Sequence, residues 1–152
     1  MPTIEHSSLT STDLHEPKGI SSATANQVYV ANGAGSGSWT SLPMVLSATI
    51  ADVSTAETIY IPIPYAGTVK RITTTLEGAI TVADATITAK NSSALSMGTI
   101  TVAYTGSAAG DVDSLDPASN NTATDNDYIT IETDGGSTTA QRLFVTIYVE
   151  RS

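Results

Sequence analysis

The feature that most constrains this chain is a period of two that runs from Gly67 to Lys90, GTVKRITTTLEGAITVADATITAK. Ile72, Thr74 and Leu76 share one face of a first strand, and Ala83, Ala85, Ile87 and Ala89 share one face of a second, with Glu77-Gly78 joining the two. Threonine, valine and isoleucine dominate, and β-branched side chains fit a pleated, half-buried surface better than a helix. Strict alternation places one face on a core and the other in water. The same pattern predicts strands near 45–51, 57–63, 67–77, 80–90, 98–105, 127–133 and 142–150. In these, Ile59, Ile61 and Ile63 align, as do Ile100, Val102 and Tyr104, then Ile129 and Ile131, then Leu143, Val145, Ile147 and Val149. Short strands at regular spacing with Gly, Asn and Asp between them predict an all-β, antiparallel β-sandwich of jelly-roll-like form. Pro62 and Pro64 put the second of these strands at a sheet edge, because proline cannot donate to a ladder. No helix-period segment is present to make the crossovers that a parallel sheet needs.

The first 44 residues read differently. Ser7 to Asp13 is polar and turn-forming, and Leu14-His15-Glu16-Pro17-Lys18-Gly19 follows it. Pro17 fixes its own φ and extends Glu16, while Gly19 can turn the chain. Val28-Tyr29-Val30 then reads as a short strand, residues 32–38 as a glycine-rich loop, and Trp39-Thr40 as the returning strand. This segment has too few large apolar residues for a core of its own, and Tyr29 and Trp39 are costly to leave in water. The expectation is an extended arm with a small hairpin over 1–44, laid on another surface in preference to a flexible leader or to Trp39 folding back on its own domain, followed by a sandwich body over 45–152, with Pro43 marking the boundary. The irregular stretch between Tyr104 and Tyr128 is long for a compact domain, and such loops are functional or packed on a neighbouring chain.

Charge narrows the partners. The 152 residues carry 6 Lys and Arg against 15 Asp and Glu, a net charge of −9, which repels a phosphate backbone and argues against nucleic acid. There is no cysteine, hence no disulfide framework and no thiolate site. No apolar run reaches the length that spans a bilayer, and MPTIEHSSLT has neither the basic nor the apolar region of a signal peptide. The expectation is a protein made in a cytoplasm that leaves it by a route such as lysis. Charged residues make up 14% of the chain, below the usual quarter or so, and small-residue, Thr-rich, cysteine-free β chains of this kind are common among extracellular and particle-surface proteins.

No catalytic constellation emerges. Gly33, Gly35 and Gly37 lack the Gly-Lys-Ser/Thr and the following helix of a phosphate cradle, so they read as a hairpin loop. Asp111, Asp113, Asp116, Asp125, Asp127, Glu132 and Asp134 crowd one region, but without the glycine and terminal glutamate of a calcium-binding EF-hand, so they read as a solvated acidic loop. Among seven loosely spaced acids, a pair at glycosidase distance is expected by chance. His6 and His15 lack neighbouring ligands, and no Gly-x-Ser-x-Gly elbow occurs. Lys70 and Arg71, the one adjacent basic pair, are placed to neutralise carboxylates of this or a neighbouring chain. Neither cofactor nor metal is expected. Aromatic residues make up 5% of the chain, mostly in predicted strands, which argues against an exposed aromatic platform.

Two stretches resemble tailed-bacteriophage virion proteins. LTSTDLHEPKGISSATANQVYVANGAGSGSW is similar to the Leu-His-Glu-Pro-Lys-Gly leader and Tyr-Val-Ala-Asn/Asp-Gly-Ala-Gly-Ser-Gly-x-Trp hairpin of such proteins. IPIPYAGTVKRITTTLEGAITVADATITAK, TITVAYTGSAAGDVDS and DYITIETDGGS resemble capsid decoration and head-fibre proteins. The resemblance implies a non-enzymatic β-rich module, a homotrimer, that sits on the major capsid protein at the virion surface. It also implies that Leu14, His15, Glu16, Pro17, Lys18 and Gly19, with Tyr29 and Trp39, belong to a capsid-anchoring arm. From a sequence that runs to Ser152 with no long fibre or receptor-binding stretch of the head-fibre kind, the expectation is decoration rather than a head-fibre or tail-associated module for carbohydrate or cell surfaces.

Overall fold

The computed structural model describes residues 23–34 and 37–152. The chain divides after Leu42 into two compact units. The described part of the first is a hairpin of β1 (Gln27–Ala31) and β2 (Gly37–Ser41), in which Tyr29 stands opposite Trp39. Leu42 donates its N–H to the Asn26 carbonyl at 2.9 Å and closes the open end. Gly37 has no room for a side chain: a Cβ there would strike the Val30 carbonyl and lie 2.8 Å from the Tyr29 ring. The expected hairpin between Val28-Tyr29-Val30 and Trp39-Thr40 is therefore present, and its glycine serves close approach.

The second unit is all β, with strands β3 (Pro43–Ile50), β4 (Glu57–Ile63), β5 (Gly67–Leu76), β6 (Ala85–Asn91), β7 (Ser96–Val102), β8 (Val112–Leu115), β9 (Thr122–Ala123), β10 (Asp127–Thr133) and β11 (Leu143–Arg151). Pairing is antiparallel and nested: β3 with β11, β4 with β10, β5 with β8, and β6 with β7. This long double strand is rolled up, so that β11 also pairs with β5 and β10 with β6. Two sheets result, β4-β10-β6-β7 and β3-β11-β5-β8, with the two-residue β9 on the end of β5. First-with-last nesting of this kind is the jelly roll.

Alternation explains which residues meet between the sheets. Along β11, Leu143, Val145, Ile147 and Val149 are buried while Phe144, Thr146 and Tyr148 face out. Ile129 and Ile131 of β10, Ile61 and Ile63 of β4, Ile87 of β6 and Ile72 of β5 join one continuous cluster. Every buried core residue is aliphatic or methionine.

Three readings of the sequence are corrected. The stretch 67–90 does hold two strands, but β5 and β6 lie in different sheets. The strand expected from residue 80 begins at Ala85, because residues 77–84 cross the end of the sandwich. There Ile80 is buried, its N–H and carbonyl both bonded by the Ser107 hydroxyl, and Val82 takes a positive φ of 76°. The stretch 105–127, expected to be irregular, contains β8 and β9. Its acids hid the pattern: Asp113 occupies an inward position of β8, where the eye expects an apolar residue. Strand ends elsewhere shift by a few residues, with Pro43 itself opening β3 and the strand expected over 98–105 spanning Ser96–Val102. Pro62 does lie on an edge strand, β4.

Ile147 is fully buried at the centre of its sheet, so Ile147→Ala should cost about 2–5 kcal/mol in chemical denaturation. Thr146→Ala, one residue away on the outer face, should stay within about 0.5 kcal/mol of wild type.

Candidate interaction surfaces

With the core aliphatic, the aromatic residues of the second unit lie elsewhere. Tyr60, Tyr65, Tyr104, Tyr128, Phe144 and Tyr148 are each between 40% and 66% exposed. Placement in strands does not bury Tyr60, Tyr128, Phe144 and Tyr148, because a strand has two faces and they fall on the outer one, while Tyr65 and Tyr104 lie in bends outside the strands; the argument against an exposed aromatic surface is overturned. Tyrosine and phenylalanine are enriched where proteins meet partners.

On the five-stranded sheet, register assembles this outer face. One row runs Thr49, Phe144, Thr75, Val112; the next runs Ser47, Thr146, Thr73, Ser114; a third begins Val45, Tyr148, Arg71. A β-bulge between Tyr148 and Val149 leaves Lys70 as the extra residue, so Lys70 and Arg71 are both exposed in succession. They line a groove of about 580 Å³ with Thr73, Asp116, Thr146 and Tyr148. Arg71 forks onto Asp116 at 2.7 and 2.8 Å, and Lys70 reaches Glu150 at 2.9 Å. The basic pair thus meets carboxylates of its own chain. Hydrogen bonding to Arg71 holds Asp116 below the usual carboxylate range, and the same bond raises Arg71. Both partners are exposed, so the pair orders the groove more than it stabilises the fold.

The acidic residues do not converge. Asp127 accepts from the Ser92 and Thr124 hydroxyls and from the Tyr128 N–H. Asp134 accepts from the N–H groups of Thr86 and Gly136, Asp111 from that of Ala108, and Glu132 pairs with Lys90 at 2.6 Å. Among the described residues no three His, Asp or Glu side chains are grouped to hold a metal ion. The acids fasten turns and rungs one at a time.

Of the residues expected in a capsid-anchoring arm, Leu14, His15, Glu16, Pro17, Lys18 and Gly19 lie outside the described residues, as does His6. Tyr29 and Trp39 are brought together edge to face at 5.4 Å, both half-buried. The Trp39 indole N–H is shielded from solvent and has no hydrogen-bond partner among the described residues, and burying a donor unpaired costs about 1–3 kcal/mol.

No protein-family model and no curated protein matches the chain. A phage capsid chain shares its fold. Over 100% of both chains the protein is similar to a chain of the Cyanophage Pam1 capsid asymmetric unit, with a TM-score of 0.51 and 13% identity. Phe144, Tyr148 and Val45 are surface residues that residue type alone does not reveal, although each sits out of step with the inward row of its own strand.

Acid should weaken this protein. Hydrogen bonds from Ser54 to Asp52, from Arg71 to Asp116 and from Ser92 to Asp127 hold these carboxyls below the ordinary 3.8. The unfolded chain then takes up protons first, so their contribution is complete above that value and is lost as pH falls through the lower folded values. Asp113, raised by burial and by Asp111, runs the other way. The melting temperature should therefore fall between pH 5 and pH 2, and Asp127→Asn should melt lower than wild type at pH 7 with a smaller drop in acid.

Proposed function

We propose that this chain is a non-enzymatic virion protein that binds the outside of a phage capsid as a decoration protein and stabilises the shell. The observation that carries the reading is the end-to-end likeness to a chain of a phage capsid asymmetric unit. A shared fold carries no function by itself. Here it joins two further supports: the leader and hairpin strings that resemble virion proteins, and a surface holding all the aromatic residues of the body. In this reading residues 1–44 engage the major capsid protein, with Tyr29 and Trp39 as anchors, and the body is exposed and meets copies of itself as a homotrimer. Repetition over a symmetric shell supplies avidity without a deep pocket.

A carbohydrate- or cell-surface-binding role is the second reading, and one feature favours it. Tyr60 and Tyr128 form an exposed pair at 5.4 Å beside Pro62. Their planes are inclined by 66°, so they offer a sugar ring one flat face rather than a shared platform.

Co-sedimentation with capsids assembled without this protein separates the readings. Full-length protein should bind saturably, residues 43–152 should not, and Tyr29→Ala/Trp39→Ala should weaken binding by at least about tenfold, as expected for aromatic anchors. Saturation of the shell by residues 43–152 alone would refute the arm as anchor. No binding by any form, with retention on a glycan array lost in Tyr60→Ala, would favour the second reading.

A further inference from the structure

The two sheets of the body end in four edges, and three of them carry a device against further pairing. On β4, Pro62 lacks an N–H and Pro64 follows the strand. On β7, the ladder to β6 is broken between Ala89 and Lys90, and Gly98 opposite takes a φ of 136°. The β8 edge is four residues long, carries Asp113 and runs into Asp116-Pro117. Prolines, bulges, charges and brevity are the means by which natural sheets blunt their edges.

The fourth edge has none of these within it. β3 is eight residues long, PMVLSATI, pairs with β11 in unbroken register, and has proline only at its first position. No strand flanks its other side among the described residues. It carries no charge, and neither does any residue from Gly19 to Ala51, although the whole chain has a net charge of −9. The core is also unfinished there. Met44, Leu46 and Ala48 point inward but are only partly buried, and a groove of about 450 Å³ lined by Leu46, Pro62, Ile63 and Pro64 together with Asn126 and Asp127 opens beside them.

We infer that β3 pairs antiparallel with β3 of a second copy of this chain, about a twofold axis. Three observations select this occupant. An open edge needs another open edge, and the one that the body of a second copy offers without a blocking device is its own β3. Two chains of −9 repel except where they meet through uncharged surface, which is what β3 presents. Registers that keep Met44, Leu46 and Ala48 of both copies on one face join the two half-covered cores into one. The contact is isologous and distinct from any threefold association, so it doubles whatever assembly the remaining surfaces make.

Light scattering on full-length protein tests this. Val45 and Ser47 lie on the exposed outer face of β3, so Val45→Lys/Ser47→Lys should fold while setting like charges against each other across the axis. The variant should have half the mass of wild type at equal concentration. Mixing it with Val45→Glu/Ser47→Glu should restore the wild-type mass, which a merely damaged fold would not do. Amide exchange in β3 should slow with rising concentration in wild type alone. A wild type that stays monomeric, or a mass that the lysines leave unchanged, overturns the pairing. An unchanged trimer would do so while leaving the threefold reading of the body intact.

Discussion

The contact on which the body depends is the pairing of β3 with β11, strands separated by nearly the whole length of the unit. All other pairs are nested inside it, so each is shorter in sequence than the one that encloses it. Such a topology pays loop-closure entropy before the inner rows are rewarded, and folds dominated by distant pairs are correspondingly slow. β11 then does double duty, since it also pairs with β5. The four residues it buries, Leu143, Val145, Ile147 and Val149, are needed by both neighbours at once. The sheet cannot be completed in parts.

Much of this was legible in the residues, and the reason is the period of two. Leu143 to Val149 and Ile59 to Ile63 alternate so plainly that strand and inward face follow together. What alternation cannot convey is which strand lies beside which. The β5–β6 connection shows this, since Glu77-Gly78 resembles a turn while the chain actually passes from one sheet to the other. β8 was illegible because Asp113 sits half-covered on an inward position, where burial and the neighbouring Asp111 raise its carboxyl above the ordinary value.

The surfaces were less legible than the core. Phe144 and Tyr148 look like core residues by type, and only their step relative to Leu143 and Val145 says otherwise. The pairing of Arg71 with Asp116 joins positions 45 residues apart, which no local pattern reveals. Aliphatic packing inside and aromatic side chains outside is a division of labour: isoleucine and valine suit the pleated interior of stacked sheets, and the large flat rings are left at the surface.

That division has an optical consequence. The single tryptophan of the chain is in the β1–β2 hairpin, and the tyrosines of the body all stand at its surface. Tryptophan emission therefore reports the hairpin, while five of the six tyrosines report the outer surface of the body and the sixth, Tyr29, shares the hairpin with Trp39. The hairpin's tryptophan has no counterpart in the body, so changes around the hairpin can be followed by emission with no label added.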